Sequence, residues 1–352
     1  MKVKMYKYLF LLLLFPISLI ANEKQKYKKE RKINKIFSVN STAELEVSNK
    51  FGSVYVTPWN ENKIEIDVVI TVSGNNPDLV EKRFNTIDVE FNNTQNLVSA
   101  ITKFETLYTT KNNNLNFEIN YTVKIPKNGS VNVNNQYGDI FLGKINGKTN
   151  ISCKYGKIII DELNNSQNNI NIQYASGSKI NALKNAAIYA KYSDVDLKKG
   201  NVLALQSDYT NITIDDIGDI QYQVKYGDIK INNVNKIVGT GNYLNFKIGS
   251  VHDILNITTS YSTIGIGRID KNANSIIINS SYTNSNLKYD GNFAFDFEIS
   301  SKYGNINVDP GLIIESKLDK NNESYYKGYH KRKNTKKVSI QGRYGNISLK
   351  SL

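Results

Sequence analysis

The groups in this chain that could do chemistry are few and scattered. Carboxylates come closest to one another in Asp161-Glu162, in Asp194 with Asp196, and in Asp215-Asp216. Such pairs serve as acid and base, or hold calcium, in some enzymes that cleave acidic polysaccharides. Here each pair sits on a short alternating stretch, where acidic residues more commonly keep a surface soluble. Only two histidines occur, His252 and His330, far apart in the sequence. No metal-ligand spacing, phosphate-cradling loop or nucleophile elbow is present. Gly265-Ile266-Gly267 lacks the third glycine and following helix of a nucleotide fingerprint. Cys153 is the only cysteine, so an exported chain has no internal disulfide. The composition points away from an enzyme, and no cofactor or metal is expected.

Charge narrows the partner chemistry. The net charge is +13, of which Lys2, Lys4 and Lys7 supply three. Residues 22–36 hold seven basic and two acidic side chains, and residues 315–337 hold eight and three, so each is +5 and the rest is neutral. A nucleic-acid binder would show a basic stripe along its body, so nucleic acid is excluded as a partner. The excursion at 315–337 joins tyrosines to lysines. Tyr325, Tyr326, Lys327, Tyr329, Lys331, Arg332 and Lys333 are the candidate partner contacts, for an envelope polysaccharide, another surface protein or a second copy of the chain.

The elements that would position these residues follow from a repeat. The stretch Tyr226-Gly227-Asp228-Ile229-Lys230-Ile231 has imperfect copies, with its aromatic returning as Phe51, Tyr137, Tyr155, Tyr174, Tyr192, Tyr209, Tyr243, Tyr261, Tyr282, Tyr303 and Tyr344. From Tyr137 to Tyr303 the spacing is 17 to 21 residues, a solenoid signature. Apolar residues recur three and five positions after the aromatic and four before it, which gives two short strands per coil about a corner. Eighteen residues span roughly 60 Å, enough to close around a core about 10 Å thick. The expectation is an all-β, single-stranded parallel β-helix of ~18-residue coils, right-handed by the general crossover rule. The aromatics should form a buried stacked ladder, with small residues two positions earlier (Cys153 among them) making room for it. Glycine after the aromatic suggests a tight or left-handed bend, although Ala175, Ser193, Thr210, Leu244, Ser262 and Thr283 also occupy that place.

The remaining segments read as follows. Residues 1–21 are a secretory signal, with a basic start, an apolar run at 9–20 and cleavage after Ala21. The run is short for a bilayer, so no membrane span is expected after its removal. Residues 22–35 read as a basic flexible tail, because charge blocks without periodicity rarely fold. Residues 36–129 read as a cap of longer strands, with one short helix near 77–84 opened by Pro77. Coils occupy 130–352, with the basic loop at 315–337 inserted before the last one.

Together, the apparent signal, the Phe-Gly-x-Val-x-Val opening at 51–56, the Tyr-Gly-Asp/Asn-Ile-x-Ile coils at Tyr137, Tyr226, Tyr303 and Tyr344, and the lysine-rich loop before the last coil resemble the bacterial "putative adhesin" family. That exported family is of unknown function and is related to auto-transporter adhesin head domains. The likeness covers roughly residues 36–352. It implies a β-helix in the periplasm, on the outer membrane or at the cell surface, and brings no catalytic residues with it. The resulting expectation is a non-enzymatic envelope protein, an adhesin or interaction scaffold. The alternatives are a periplasmic component of an envelope signalling system and a polysaccharide-active enzyme.

Overall fold

The structure is a computed structural model and describes residues 26–106 and 115–352. The expected signal segment lies outside the described residues. Nearly everything described is β-strand, with a single helix at Pro77–Asn85. Strands of successive coils pair in parallel and in register: Thr149–Lys154 lies between Ser130–Gln136 and Asn168–Gln173, and Ile158–Leu163 lies between Ile140–Ile145 and Ser178–Lys191. Strand alternation sends one set of side chains inward. Ile151, Ile170, Ile188 and Leu205 stack on one inner face, and Leu142, Ile160, Ile180 and Leu197 on the other, all buried. The fold is therefore a parallel β-helix.

Both ends depart from simple stacking in chain order. Leu97–Phe104 and Leu115–Pro126 form a coil outside that of Glu44–Lys50 and Val54–Trp59, although they come later in the chain. At the other end, Lys336–Arg343 runs between Ser275–Ser281 and Phe295–Lys302, and Ile347–Ser351 between Asn284–Tyr289 and Ile306–Val308. The final coil is thus slotted one place inward from where the sequence order puts it.

Antiparallel strands close each end. Lys63–Gly74 adds to Leu115–Pro126, and Tyr27–Ser38 adds to Lys63–Gly74. Residues 27–35 are consequently a strand, which corrects the reading of a flexible tail for that part of 22–35, residues 22–25 lying outside the described residues. Tyr27, Ile33 and Phe37 rest on the core, while Arg31 donates to the Ile87 carbonyl and lies 5.4 Å from the Phe84 ring centre. Those sparse inward residues, masked by lysines, provide the burial that a charge block alone lacks. The helix begins with the Asn76 side chain accepting from Leu79 N–H and packs Val80 inward.

The 315–337 excursion is corrected in the same way. It is a hairpin of Ile313–Lys320 and Glu323–His330, laid antiparallel on Phe295–Lys302. Its inward residues Tyr326, Gly328 and His330 are buried. Nearby, Tyr289, Phe293, Phe295 and Phe297 fill the end of the core, and His330 Nδ1 lies 2.5 Å from the Phe293 carbonyl.

Candidate interaction surfaces

The hairpin separates the expected contact residues instead of gathering them. Tyr326 is core: its hydroxyl donates to Asp319 at 3.0 Å, and Lys317 lies 4.8 Å from its ring centre. Tyr325 donates to Glu298 at 3.2 Å. Lys333 pairs with Glu315 and lies 5.1 Å from the Tyr329 ring centre, and Lys331 donates to Asn292 at 3.3 Å. Lys327 and Arg332 are exposed. These groups are mostly partnered within the protein, and they close the end of the helix.

The carboxylate pairs do not converge either. Asp194 accepts from Ser176 at 2.9 Å and Asn211 at 3.0 Å, Asp215 accepts from Asn232 at 2.6 Å, and Glu162 pairs with Lys144 at 2.5 Å. Among the described residues there is no cluster of three His, Cys, Asp or Glu placed to hold a metal. One mixed cluster spans three coils, with Arg268 2.5 Å from Asp290 and 3.8 Å from Asp270, which in turn lies 3.9 Å from His252. Its carboxylates have a structural task. Asp270 accepts from Asn272 N–H and Asp290 from Asn292 N–H, each at 2.8 Å, closing turns that drop Ala273 and Phe293 into the core.

What the fold does assemble is the aromatic column, and it lies outside the core. Twelve rings stack from Phe51 through Tyr282 to Tyr344 and Tyr303, with centroids 4.5 to 5.1 Å apart and interplanar angles of at most 17°. The tyrosines are 37 to 50% exposed. Stacked neighbours cover the ring faces, so edges and hydroxyls face outward along about 50 Å of the rod. The first ring is closed off by Phe117, 4.7 Å away, over which Arg83 sits. Loss of surrounding water, followed by the neighbouring phenol groups of Tyr226 and Tyr192, raises the Tyr209 pKa.

Every one of the twelve corner aromatics has φ between 49° and 62°. The residue that is left-handed at every corner is thus the aromatic, while of the glycines after it only Gly52 and Gly227 also have positive φ, at 154° and 150°. Glycine is used there for closeness: a Cβ on Gly138 would stand 2.0 Å from the Gly52 carbonyl oxygen. Where another residue follows the aromatic, as at Ala175 or Thr210, its side chain is buried. The small residues two places before the aromatic do not make room for rings. They point inward, and two of them reach the corner's backbone: Asn135 donates to the Gly52 carbonyl at 2.9 Å, and Cys153 Sγ lies 3.3 Å from that of Gly156.

Beside the column runs a second feature that residue-by-residue reading missed. Positions five and three before the aromatic point outward on one sheet. Over the ten coils stacked from Tyr137 to Tyr344, with that of Tyr303 lying beyond them, these twenty positions contain no charged residue. Eleven are Asn or Gln, four are Ser or Thr, and one, Tyr189, is aromatic. Glu46 and Glu298 bound the strip at its two ends. The sheet is concave, forming a trough of about 590 Å³ around Tyr189 and another of about 460 Å³ against Tyr325 of the hairpin. Aligning the outward columns, as well as the inward ones, would have revealed the strip.

No family model and no curated protein matches the chain. Among solved structures it is similar to a "putative cell adhesion protein" from Clostridium sporogenes, at 14% identity and a TM-score of 0.18 over 92% of this chain and 100% of that one. It is also similar to a "putative adhesin" from Bacteroides fragilis, at 13% identity and a TM-score of 0.27 over 92% and 97% of the two chains. A third, a "putative adhesin" from Parabacteroides merdae, has 10% identity and a TM-score of 0.31 over 92% and 96%. At such TM-scores these likenesses decide nothing about this chain. Among the described residues, no helix is long and apolar enough to cross a membrane.

Proposed function

We propose that this chain is a non-enzymatic β-helix protein exported to the cell envelope or surface, acting as an adhesin-type interaction scaffold. The observation that carries the reading is the exposed column of twelve stacked aromatics on a continuous hydrogen-bonded rod. Aromatic area left in water over so long a path marks a contact surface. The parallel ladders hold it in fixed register, so a long partner meets the same group at every coil.

The test combines place and contact. Protease applied to intact cells should cleave the hairpin turns around Asn321 and Asn334, and beads coated with the purified chain should attach to cells or extracellular matrix. Replacing Tyr174, Tyr192 and Tyr209 together by serine should reduce attachment several-fold while leaving the circular dichroism spectrum unchanged. Full protection of the hairpin on intact cells, with cleavage once the envelope is opened, would favour the periplasm. Attachment that ignores the triple substitution would remove the column from the function.

A further inference from the structure

We propose that the trough around Tyr189 binds a neutral polysaccharide laid along the helix axis across successive coils. The proposal rests on the scaffold reading and gives its ligand a chemical class.

Charge decides first. Twenty outward positions without a charged residue are unusual in a chain with 22% charged residues. A polyanion finds no counter-charge within the strip itself, and the cations beside it on the same strands, Lys154 and Lys191, lie over the corner rings of Tyr155 and Tyr192. An ordinary protein surface, with about a quarter of its residues charged, would have to strip water from those groups against amides that cannot neutralise them. A neutral glycan brings only hydroxyls, acetal oxygens and C–H faces.

The face supplies the groups that such a ligand needs. A side-chain amide offers donors and an acceptor together, and so can meet neighbouring hydroxyls of one sugar. Asn169, Gln206, Gln221 and Gln223 line the trough, and none makes a side-chain hydrogen bond among the described residues. Tyr189 stands among them as the lone aromatic of the strip. Unlike the corner tyrosines it stacks on no other ring among the described residues, and its hydroxyl has no partner among them. Its register neighbours on the adjacent strands are Asn171 and Gln206, while Ala204 also lines the trough. A ring with amides beside it and little bulk around it is a platform for a pyranose face, with apolar contact from the ring and orientation from the amides. The corner column cannot play this part, because its ring faces are already covered. Repetition along the rod lets weak single contacts add over a long chain.

Affinity electrophoresis of the folded chain through gels containing galactomannan, xyloglucan or dextran tests the idea, with alginate and heparin as anionic comparisons. At least one neutral polymer should retard the protein, and added salt should leave the retardation unchanged. Tyr189→Ala should weaken it on the order of tenfold, and Tyr189→Phe should retain most of it. Ala204→Lys, an exposed change that puts bulk and charge into the trough, should abolish it with the circular dichroism spectrum intact. No retardation by any neutral polymer overturns the proposal, as does retardation by the anions alone, or binding indifferent to both Tyr189→Ala and Ala204→Lys. If the beads still attach to cells while every neutral polymer fails, the ligand class is wrong and the scaffold reading stands. If attachment fails as well, the scaffold reading falls with it.

Discussion

A bulky residue at positive φ is costly, by roughly 1–2 kcal/mol, yet this chain places twelve aromatics there. Stacking offsets the cost, since a ring pair contributes about 0.5–1.5 kcal/mol beyond the area it buries, and an interior ring stacks on both sides. Tyr226 lies 4.5 Å from the Tyr209 centroid and 4.8 Å from that of Tyr243. It is also 37% exposed, so full core burial is not at stake. Tyr226→Ala should therefore cost about 1.5–2.5 kcal/mol, and Tyr226→Gly about 1 kcal/mol less, because glycine accepts the left-handed backbone. Chemical denaturation of the two variants checks the order. If Ala proves the milder change, the left-handed strain is not what it replaces. At Cys153, burial raises the thiol pKa to about 12, so the folded protein should resist iodoacetamide and the unfolded one should react. Mass spectrometry with and without denaturant reads this directly. The repeat of Tyr and Gly was plain in the sequence. Which of the two bends the backbone was not, because propensity assigns that task to glycine and tertiary stacking overrides it.

The coils were legible because inward alternation repeats at nearly constant spacing, and columns such as Ile151, Ile170 and Ile188 could be named without coordinates. The ends were not. Tyr27–Ser38 hides three supporting residues among lysines, and nothing local says that Lys336–Arg343 enters between two earlier strands. That insertion is fixed by pairing over long sequence separations, which patterning does not encode. Of the contact residues expected on the hairpin, alternation buries Tyr326 and an ion pair with Glu315 engages Lys333. The turns at this end make a pH prediction. Backbone N–H groups of Asn292 and Gly311 hold the Asp290 and Asp309 carboxyls below their ordinary value. A carboxylate whose folded pKa is depressed adds stability above its unfolded pKa, and that stability is lost as pH falls through the folded value. Acidification through and below the ordinary carboxylate range, near 3.8 for Asp, should loosen residues 290–312 before the central coils. Hydrogen exchange resolved by segment tests this. Equal loss of protection in the coils from Tyr174 to Tyr226 would mean that the turns are not the acid-sensitive part.

On the scale of the whole molecule, a parallel stack has no natural stopping point, so its existence as single rods depends on what covers the ends. The C-terminal hairpin presents Ile313–Lys320 as its outer strand, with alternating charge. The N-terminal end presents Tyr27–Ser38, whose Lys28, Lys29, Arg31, Lys32 and Lys35 make a second copy an unwelcome neighbour. Beneath it, Lys63–Gly74 is a twelve-residue strand with a fully buried inner column from Ile64 to Val72 and an outer row containing Val69. Removing residues 26–38 from the folded chain would bare that edge, and with it Phe84 loses Arg31 and Phe91 loses Phe37. The truncated protein should keep its central coils and its circular dichroism spectrum, yet associate end to end with rising concentration, as read by light scattering. Reversing the charge of Lys28, Lys32 and Lys35 together in the intact chain separates cover from repulsion. If the strand acts only as a cover, the triple Glu variant stays monomeric. If its charge is what repels, that variant mixed with the wild-type chain forms pairs that added salt dissolves. A truncated chain that remains monomeric at high concentration would show that neither is needed, and that the basic strand is there for a partner.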